Sequence, residues 1–269
     1  MRRRELLGHT RILLLANSSW YLANFESNLI ERLRESGAKL VAVAASDRST
    51  ERLRALGCEV ETIRIDPRGI NPFKDILFSL RLFAKLRRLK PDLLLTFTIK
   101  PNVYGPILAA VLGIKSVVTV SGLGSGFRLP GWLRVCLRST CKAAFACARR
   151  VVFLNVSDRR YLLGHGVVES AKCVLFPGPG VDTLHFAPTN SRKRSREFVF
   201  LMSARLLWEK GVADYLEAAA RLAARNNGMR FRLLGFLTDS EDEGLTTQAV
   251  RQHEPRGVIY LGSTDDVRP

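Results

Sequence analysis

The sequence has little of what marks several large classes of protein. No apolar run approaches the ~20 residues that a helix needs to cross a bilayer, so a membrane-spanning protein is not expected. The opening stretch Met1–Leu7, MRRRELL, is basic but lacks the apolar centre of a secretory signal, which points to the cytosol. The cysteines (Cys58, Cys136, Cys141, Cys147 and Cys173) are odd in number and show no C-x-x-C spacing. That argues against a disulfide framework or a zinc site and for reduced, mostly buried thiols. The four histidines form no H-E-x-x-H or H-x-H cluster. No G-x-G-x-x-G follows the first strand-like run, which weighs against a nicotinamide-binding domain. No D-x-D-like pair stands in the first domain, and Asp265-Asp266 reads as a helix start, so no metal site is expected.

Acidic residues are also scarce where bases are dense. The formal charge is +17, of which residues 1–190 carry +15 and residues 81–160 alone +13. No acid occurs between Arg81 and Lys90 or between Arg128 and Arg150. Such a surface suits nucleic acid, an anionic membrane or a phosphorylated substrate. No nucleic-acid motif or aromatic interleaving accompanies the charge, so no nucleic-acid partner is expected.

What the chain does have is alternation. Strand-like runs at Arg11–Ala16, Lys39–Ala44, Glu59–Arg64, Asp92–Phe97, Ser116–Val120, Val151–Leu154 and Lys172–Phe176 are separated by segments of helical period. Asn24–Ser36 sets Leu29, Ile30 and Leu33 on one face, and Pro72–Leu89 has Asn71 as cap and Pro72 at its first position. Continuous apolar runs such as LLLTF and VVTV predict a parallel sheet covered on both faces, a doubly wound α/β domain over residues 1–187. Residues 188–197, PTNSRKRSRE, read as a linker. The pattern then restarts over 198–269, with strands Phe198–Ser203, Arg230–Leu234 and Val258–Leu261 and helices Val212–Arg225 and Glu243–His253, as an incomplete second domain.

The stretch Met202–Gly211, MSARLLWEKG, is the most informative. It places Arg205 and Lys210 in a short loop between a strand and a helix start. The free N–H groups and positive end of the helix attract phosphate, and the two cations add full charges.

With that layout the chain resembles the retaining, family-four glycosyltransferases of the GT-B fold, in the branch that transfers amino sugars onto polyprenyl-diphosphate-linked acceptors. Four segments carry the likeness: FTIKPNVYGPILAAVLGI (Phe97–Ile114), TVSGLGSGF (Thr119–Phe127), GPGVDTLHFAP (Gly178–Pro188) and SARLLWEKGV (Ser203–Val212). The last resembles the family's donor-phosphate loop, whose Arg and Lys fall on Arg205 and Lys210. Two departures stand out: Ser121 occupies the turn where many relatives have a His, and the family's Glu-rich second-domain motif would lie beyond Pro269. The resemblance implies two Rossmann-like domains, the second incomplete, and slow or no transfer by residues 1–269 alone.

It also implies a hexose or N-acetylhexosamine moved from a nucleotide-sugar, UDP-linked and consumed as substrate rather than held as a cofactor. The acceptor would be a polyprenyl-diphosphate-linked glycan of bacterial cell-surface assembly. Arg205 and Lys210 would stabilise the charge that grows on the departing diphosphate. Asn17, Ser18 and Ser19, at the carboxyl end of the first strand, either contact donor or acceptor or form a capping turn before a helix starting at Asn24. Gly122, Gly124 and Gly126 either let a ligand approach the backbone or form a plain connection. Lys100 either meets the acceptor diphosphate or is a surface lysine. Asp182 organises its loop through Asx-type hydrogen bonds.

The bases recur with helical spacing, Arg81, Lys85 and Arg88 in one segment and Arg134, Arg138 and Lys142 in another, beside Trp132, Leu133 and other apolar residues. They predict peripheral contact with an anionic membrane, at the inner face of the cell membrane. Two other functions fit the layout: a non-catalytic binding or scaffold fragment, and a nucleotide-sugar epimerase built on two similar domains.

Overall fold

The computed structural model describes residues 7–8, 10–66, 71–123, 131–176, 178, 180–184, 186–187, 197–224, 228–238, 244–253 and 257–264. The chain divides into two compact units, Met1–Asp182 and Thr183–Pro269. Of the predicted linker, only Glu197 falls among the described residues.

Strands β1 (Arg11–Ser18), β2 (Lys39–Ala45), β3 (Glu59–Thr62), β4 (Leu93–Phe97), β5 (Lys115–Val120), β6 (Arg150–Phe153) and β7 (Cys173–Leu175) form the sheet of the first unit. They pair in the order β3-β2-β1-β4-β5-β6-β7, all parallel. The chain winds outward from β1 to β3, then crosses back to start the other half at β4. The strand order therefore reverses between β1 and β4, and the crevice at their carboxyl ends is where sheets of this kind take ligands. Intervening helices are α1 (Ser19–Phe25), α2 (Ser27–Glu35), α3 (Thr50–Ala55), α4 (Pro72–Leu89), α5 (Ile99–Val111), α6 (Gly131–Cys147) and α7 (Val156–Gly164).

The apolar run of β1 is continuous because each of its faces meets a different core. Ile12, Leu14 and Ala16 pack with Leu22 and Ile30 of α1 and α2. Leu13 and Leu15 pack with Phe78, Leu82 and Leu86 of α4. All five β1 residues are fully buried, and burying a leucine or isoleucine this completely contributes about 1.5–3 kcal/mol. A third cluster joins Val118, Val151, Phe153, Phe145 and Leu162 at the far end of the sheet.

Helix α4 starts as its sequence dictates: the Asn71 side chain accepts from the N–H groups of Phe73 and Lys74, at 3.0 and 3.3 Å, with Pro72 at the first position. The predicted helix 24–36 differs. It is split at Glu26 into α1 and α2, and Ser18 rather than Asn24 caps the first piece by accepting from Tyr21 N–H at 3.2 Å. Asn24 lies inside α1 and donates to the Trp20 carbonyl at 2.9 Å. The chain turns into a helix directly after β1, where a hydroxyl was already available to satisfy the first free donors.

The second unit has β8 (Phe198–Ser203), β9 (Met229–Leu234) and β10 (Val258–Tyr260), parallel in the order β10-β9-β8, with helices α8 (Val212–Ala223) and α9 (Thr247–His253). One face packs Phe200, Met202, Phe231, Leu233 and Val258 around Val212, Leu216 and Ala219 of α8. The other leaves Val199, Leu201 and Ile259 exposed. All five cysteines are free, but only Cys58 and Cys141 are buried, so the expectation of mostly buried thiols is corrected. Burial pushes those two thiols up to about 11 and about 12, which keeps them protonated and unreactive.

Candidate active site

In the second unit, β8 ends at Ser203 and the chain runs through Ala204–Leu207 and a 3-10 turn, Trp208–Lys210, into α8. This loop is held from beneath. Leu206 is fully buried; its N–H donates to the Phe236 carbonyl at 3.0 Å and its carbonyl accepts from Leu245 N–H at 2.8 Å. The Ala204 N–H donates to the Leu234 carbonyl at 3.1 Å. Gly235 has φ +148°, and a Cβ there would stand 1.7 Å from the Ala204 carbonyl oxygen, so only glycine lets the two backbones meet. On this bed Arg205 and Lys210 are both exposed, and among the described residues no carboxylate pairs with either. Gly211, at φ +78°, turns the chain into α8 without a side-chain cap, leaving the first amides of a twelve-residue helix free. Two exposed cations and the N-terminus of α8 thus stand together at the carboxyl end of a parallel sheet.

In the first unit, the crevice between β1 and β4 is built from Asn17, Ser18 and Thr98. Asn17 N–H donates to Thr98 Oγ1 at 3.2 Å, tying the two strand ends together across the reversal of strand order. Thr98 has φ 67° and ψ 162°, a conformation costly for a β-branched residue, by about 1–3 kcal/mol. The Asn17 Oδ1 is buried without a partner among the described residues. A small cavity next to it is lined by Thr98, Asn102, Ser121, Gly122 and Leu123. Asn102 donates to the Thr119 carbonyl at 2.8 Å, while its Oδ1 is also buried and unpartnered.

Beside this crevice lies an acid. Glu26 is 7% exposed. Burial raises its carboxyl to about 7, partly offset by a hydrogen bond with Tyr21. The Tyr21 hydroxyl, pushed up to about 12 by burial, hydrogen-bonds both Ser121 and Glu26. The turn after β5 thus presents a serine, Ser121, backed by a tyrosine and a buried acid.

The profile of the family described as "Glycosyl transferase 4-like" matches residues 11–155, more than half of the chain and all of the sheet from β1 to β6. The chain belongs to this glycosyltransferase family. It is 26% identical over 273 aligned residues to an N,N'-diacetylbacillosaminyl-diphospho-undecaprenol α-1,3-N-acetylgalactosaminyltransferase of Campylobacter jejuni, covering 96% of this chain and 70% of that one. It is 27% identical over 170 residues to a UDP-Gal:α-D-GlcNAc-diphosphoundecaprenol α-1,3-galactosyltransferase of Escherichia coli, covering 60% and 43%. HepE of Anabaena, solved with UDP-glucose, superposes with a TM-score of 0.70 at 16% identity, over 97% of this chain and 71% of that one. That likeness shows the fold, two Rossmann-like units of GT-B type.

Within the glycosyltransferase the predicted site residues separate. Arg205 and Lys210 share one loop of the second unit. Asn17, Ser18 and Gly122 gather at the crevice of the first. Ser19 is fully buried and faces inward: its hydroxyl donates to the Ala45 carbonyl at 3.0 Å and accepts from Thr50 at 3.2 Å, joining the start of α1 to β2 and α3. Lys100 is in the first turn of α5 rather than at a strand end, 11% exposed and ion-paired with Asp75, which also accepts from the Tyr104 hydroxyl at 3.0 Å. Gly124 and Gly126 lie outside the described residues. Three polar residues escaped the sequence reading: Thr98, Asn102 and Glu26. Glu26 left no signal in the sequence, because it caps the junction of α1 and α2 and its burial follows from that break.

The basic stripes are also modified. Lys85 and Arg88 both pair with Glu61 of β3, each at 2.6 Å, so an acid does enter the first stripe from a neighbouring element. In the second, Arg138 stacks over the Tyr161 ring at 5.2 Å and donates to its hydroxyl, while Arg134 and Lys142 are exposed. Among the described residues, no helix is long and apolar enough to cross a membrane.

Proposed function

We propose that the protein moves a hexose or N-acetylhexosamine from a UDP-sugar to a polyprenyl-diphosphate-linked glycan, working peripherally at the inner face of the cell membrane. The observation that carries the reading is the Arg205–Lys210 loop with the free amides of α8 behind it. The two relatives named for diphosphoundecaprenol acceptors use different sugars, which supports the acceptor class and leaves the sugar open. In the reaction an acceptor hydroxyl oxygen bonds to the anomeric carbon as the bond to the diphosphate breaks, and the hydroxyl proton leaves with the departing UDP. The electron pair passes to the β-phosphate oxygen, where Arg205 and Lys210 meet the growing charge. Cations already fixed there need no reorganisation as the bond breaks, which lowers the barrier selectively. The nucleotide-sugar is consumed as substrate, and the crevice of Asn17, Ser18, Thr98 and Gly122 serves the reacting sugar and acceptor.

The test offers the protein, extended through a second domain as long as that of its relatives, UDP-hexoses and UDP-N-acetylhexosamines with a synthetic polyprenyl-diphosphate-linked amino sugar, and follows products by mass spectrometry. The expected product is acceptor heavier by one sugar, with UDP released. An epimerised UDP-sugar and unchanged acceptor would replace this reading with the epimerase. Absence of any UDP binding by calorimetry would replace it with a scaffold role.

A further inference from the structure

Glu26 is a buried acid whose carboxyl the fold itself does not require. It stands where α1 ends and α2 begins, and its backbone serves both helices. Its N–H donates to the Leu22 carbonyl at 3.1 Å, and its carbonyl accepts from Ile30 N–H at 2.9 Å. Most other residues could make those bonds, and they would not bring a carboxyl out of water, which destabilises a fold unless the charge is met. Among the described residues no Lys, Arg or His pairs with Glu26, and Tyr21 of α1 is the ionisable side chain that acts on it.

Tyr21 carries that contact to the carboxyl end of the sheet. Its N–H is held by Ser18 Oγ at the end of β1, at 3.2 Å. Its ring packs beside Phe25 and beside Phe97 at the end of β4, with centres 5.2 and 6.2 Å away. Its hydroxyl hydrogen-bonds both Glu26 and Ser121, the residue that follows β5. One line of side chains therefore runs from a buried carboxyl, past the ends of β1 and β4, to an exposed serine. Ser121 stands with Thr98, Asn102 and Gly122 around the small cavity of the crevice.

The line has a direction. An ionised carboxylate only accepts, so the Tyr21 hydroxyl donates to it, and the phenol oxygen then accepts from the Ser121 hydroxyl. Ser121 is left with its lone pairs free for a ligand. A group that donates, such as a sugar hydroxyl, completes the line; a phosphate oxygen, which only accepts, does not. A protonated Glu26 can itself donate to Tyr21, and the Ser121 proton is then no longer committed inward. Burial raises the carboxyl to about 7, so both forms are reachable near neutral pH.

We propose that Glu26 and Tyr21 are positioning residues that hold Ser121 with its lone pairs toward the crevice, where they accept a hydrogen bond from a hydroxyl of the acceptor sugar. The ligand class rests on the transferase reading, whereas the line of hydrogen bonds does not.

The test is carbon-13 NMR of the Glu26 carboxyl in the full chain, titrated from pH 5 to pH 9 with and without a short-chain polyprenyl-diphosphate-linked amino sugar. A ligand that donates to Ser121 favours the ionised carboxylate, so adding it should lower the Glu26 midpoint by about half a pH unit or more. Tyr21→Phe keeps the ring and removes the linking hydroxyl, and Ser121→Ala changes an exposed position; each should abolish the shift. An acid that serves packing alone has a midpoint that the ligand does not move. An unmoved or raised midpoint in the wild type, or a shift that survives in either variant, overturns the proposal. Sugar transfer is read separately by mass spectrometry. A ligand-induced shift without transfer would remove the transferase reading and keep the positioning line, and transfer without a shift would do the reverse.

Discussion

Arg205 and Lys210 illustrate how little a functional side chain needs from its own burial when its backbone is fixed. Both are exposed, yet the loop between them is anchored by fully buried Leu206 and by hydrogen bonds to the segments around Phe236 and Leu245. In a version extended to the full length of its relatives, Arg205→Ala and Lys210→Ala should each lower kcat/KM by on the order of 3 kcal/mol, as for the loss of a charge-stabilising donor. Steady-state kinetics with a UDP-sugar would check this, and unchanged values in both would remove the pair from the mechanism. Glu26 makes a second residue-level prediction. Its carboxyl is raised from 4.5 to about 7 by burial, so the folded state holds a proton that the unfolded chain releases. Stability is therefore greatest below pH 4.5 as far as this group is concerned, and declines as pH rises from there through 7. The loss is on the order of 3 kcal/mol once both states are ionised. Glu26→Gln should flatten the urea midpoint between pH 5 and pH 8 and raise it most at the alkaline end. A slope identical to wild type would show that Glu26 is not the group responsible.

At the scale of elements, the donor-side loop depends on a contact that no helix or strand propensity supplies. Gly235 follows β9 and passes under Ala204 so closely that a methyl group has no room. Gly235→Ala must push the Ala204 carbonyl aside, costing about 1–3 kcal/mol in the manner of other overpacked sites. The shift carries Arg205 with it. Weakened UDP binding by calorimetry together with a lower Tm is the expected pair of results; a variant with full UDP affinity would show that the loop tolerates the displacement. Helix α4 shows the converse. Its boundaries follow from Asn71, Pro72 and the apolar period, but which of its apolar side chains turn inward follows from where β1 and β2 lie.

For the whole molecule, the three core clusters of the first unit draw only on residues before Asp182, and the fourth only on residues after it. Residues 1–182 expressed alone should therefore give an α/β circular dichroism spectrum and a cooperative thermal transition. A non-cooperative melt would show that this unit leans on the second. The uneven charge belongs to this scale as well: +13 within residues 81–160 places most of the protein's field on the first unit.

The sequence by itself determined the inner strands β1, β2 and β4, because strands covered on both faces carry nearly continuous apolar runs, and such runs stand out wherever they occur. It determined α4 through its cap and proline, and it placed Arg205 and Lys210 together because they are five residues apart in one loop. Only the tertiary structure decided the rest, since each remaining feature joins residues distant along the chain. Glu61 reaches Lys85 and Arg88 from β3, Asp75 takes up Lys100 across two helices, and Ser19 turns toward Ala45 and Thr50 instead of toward a ligand. Thr98 meets Asn17 only because β4 lies beside β1. Local propensity acts over a few residues, whereas charge pairing, burial and the closeness of strand ends depend on how the chain returns to itself.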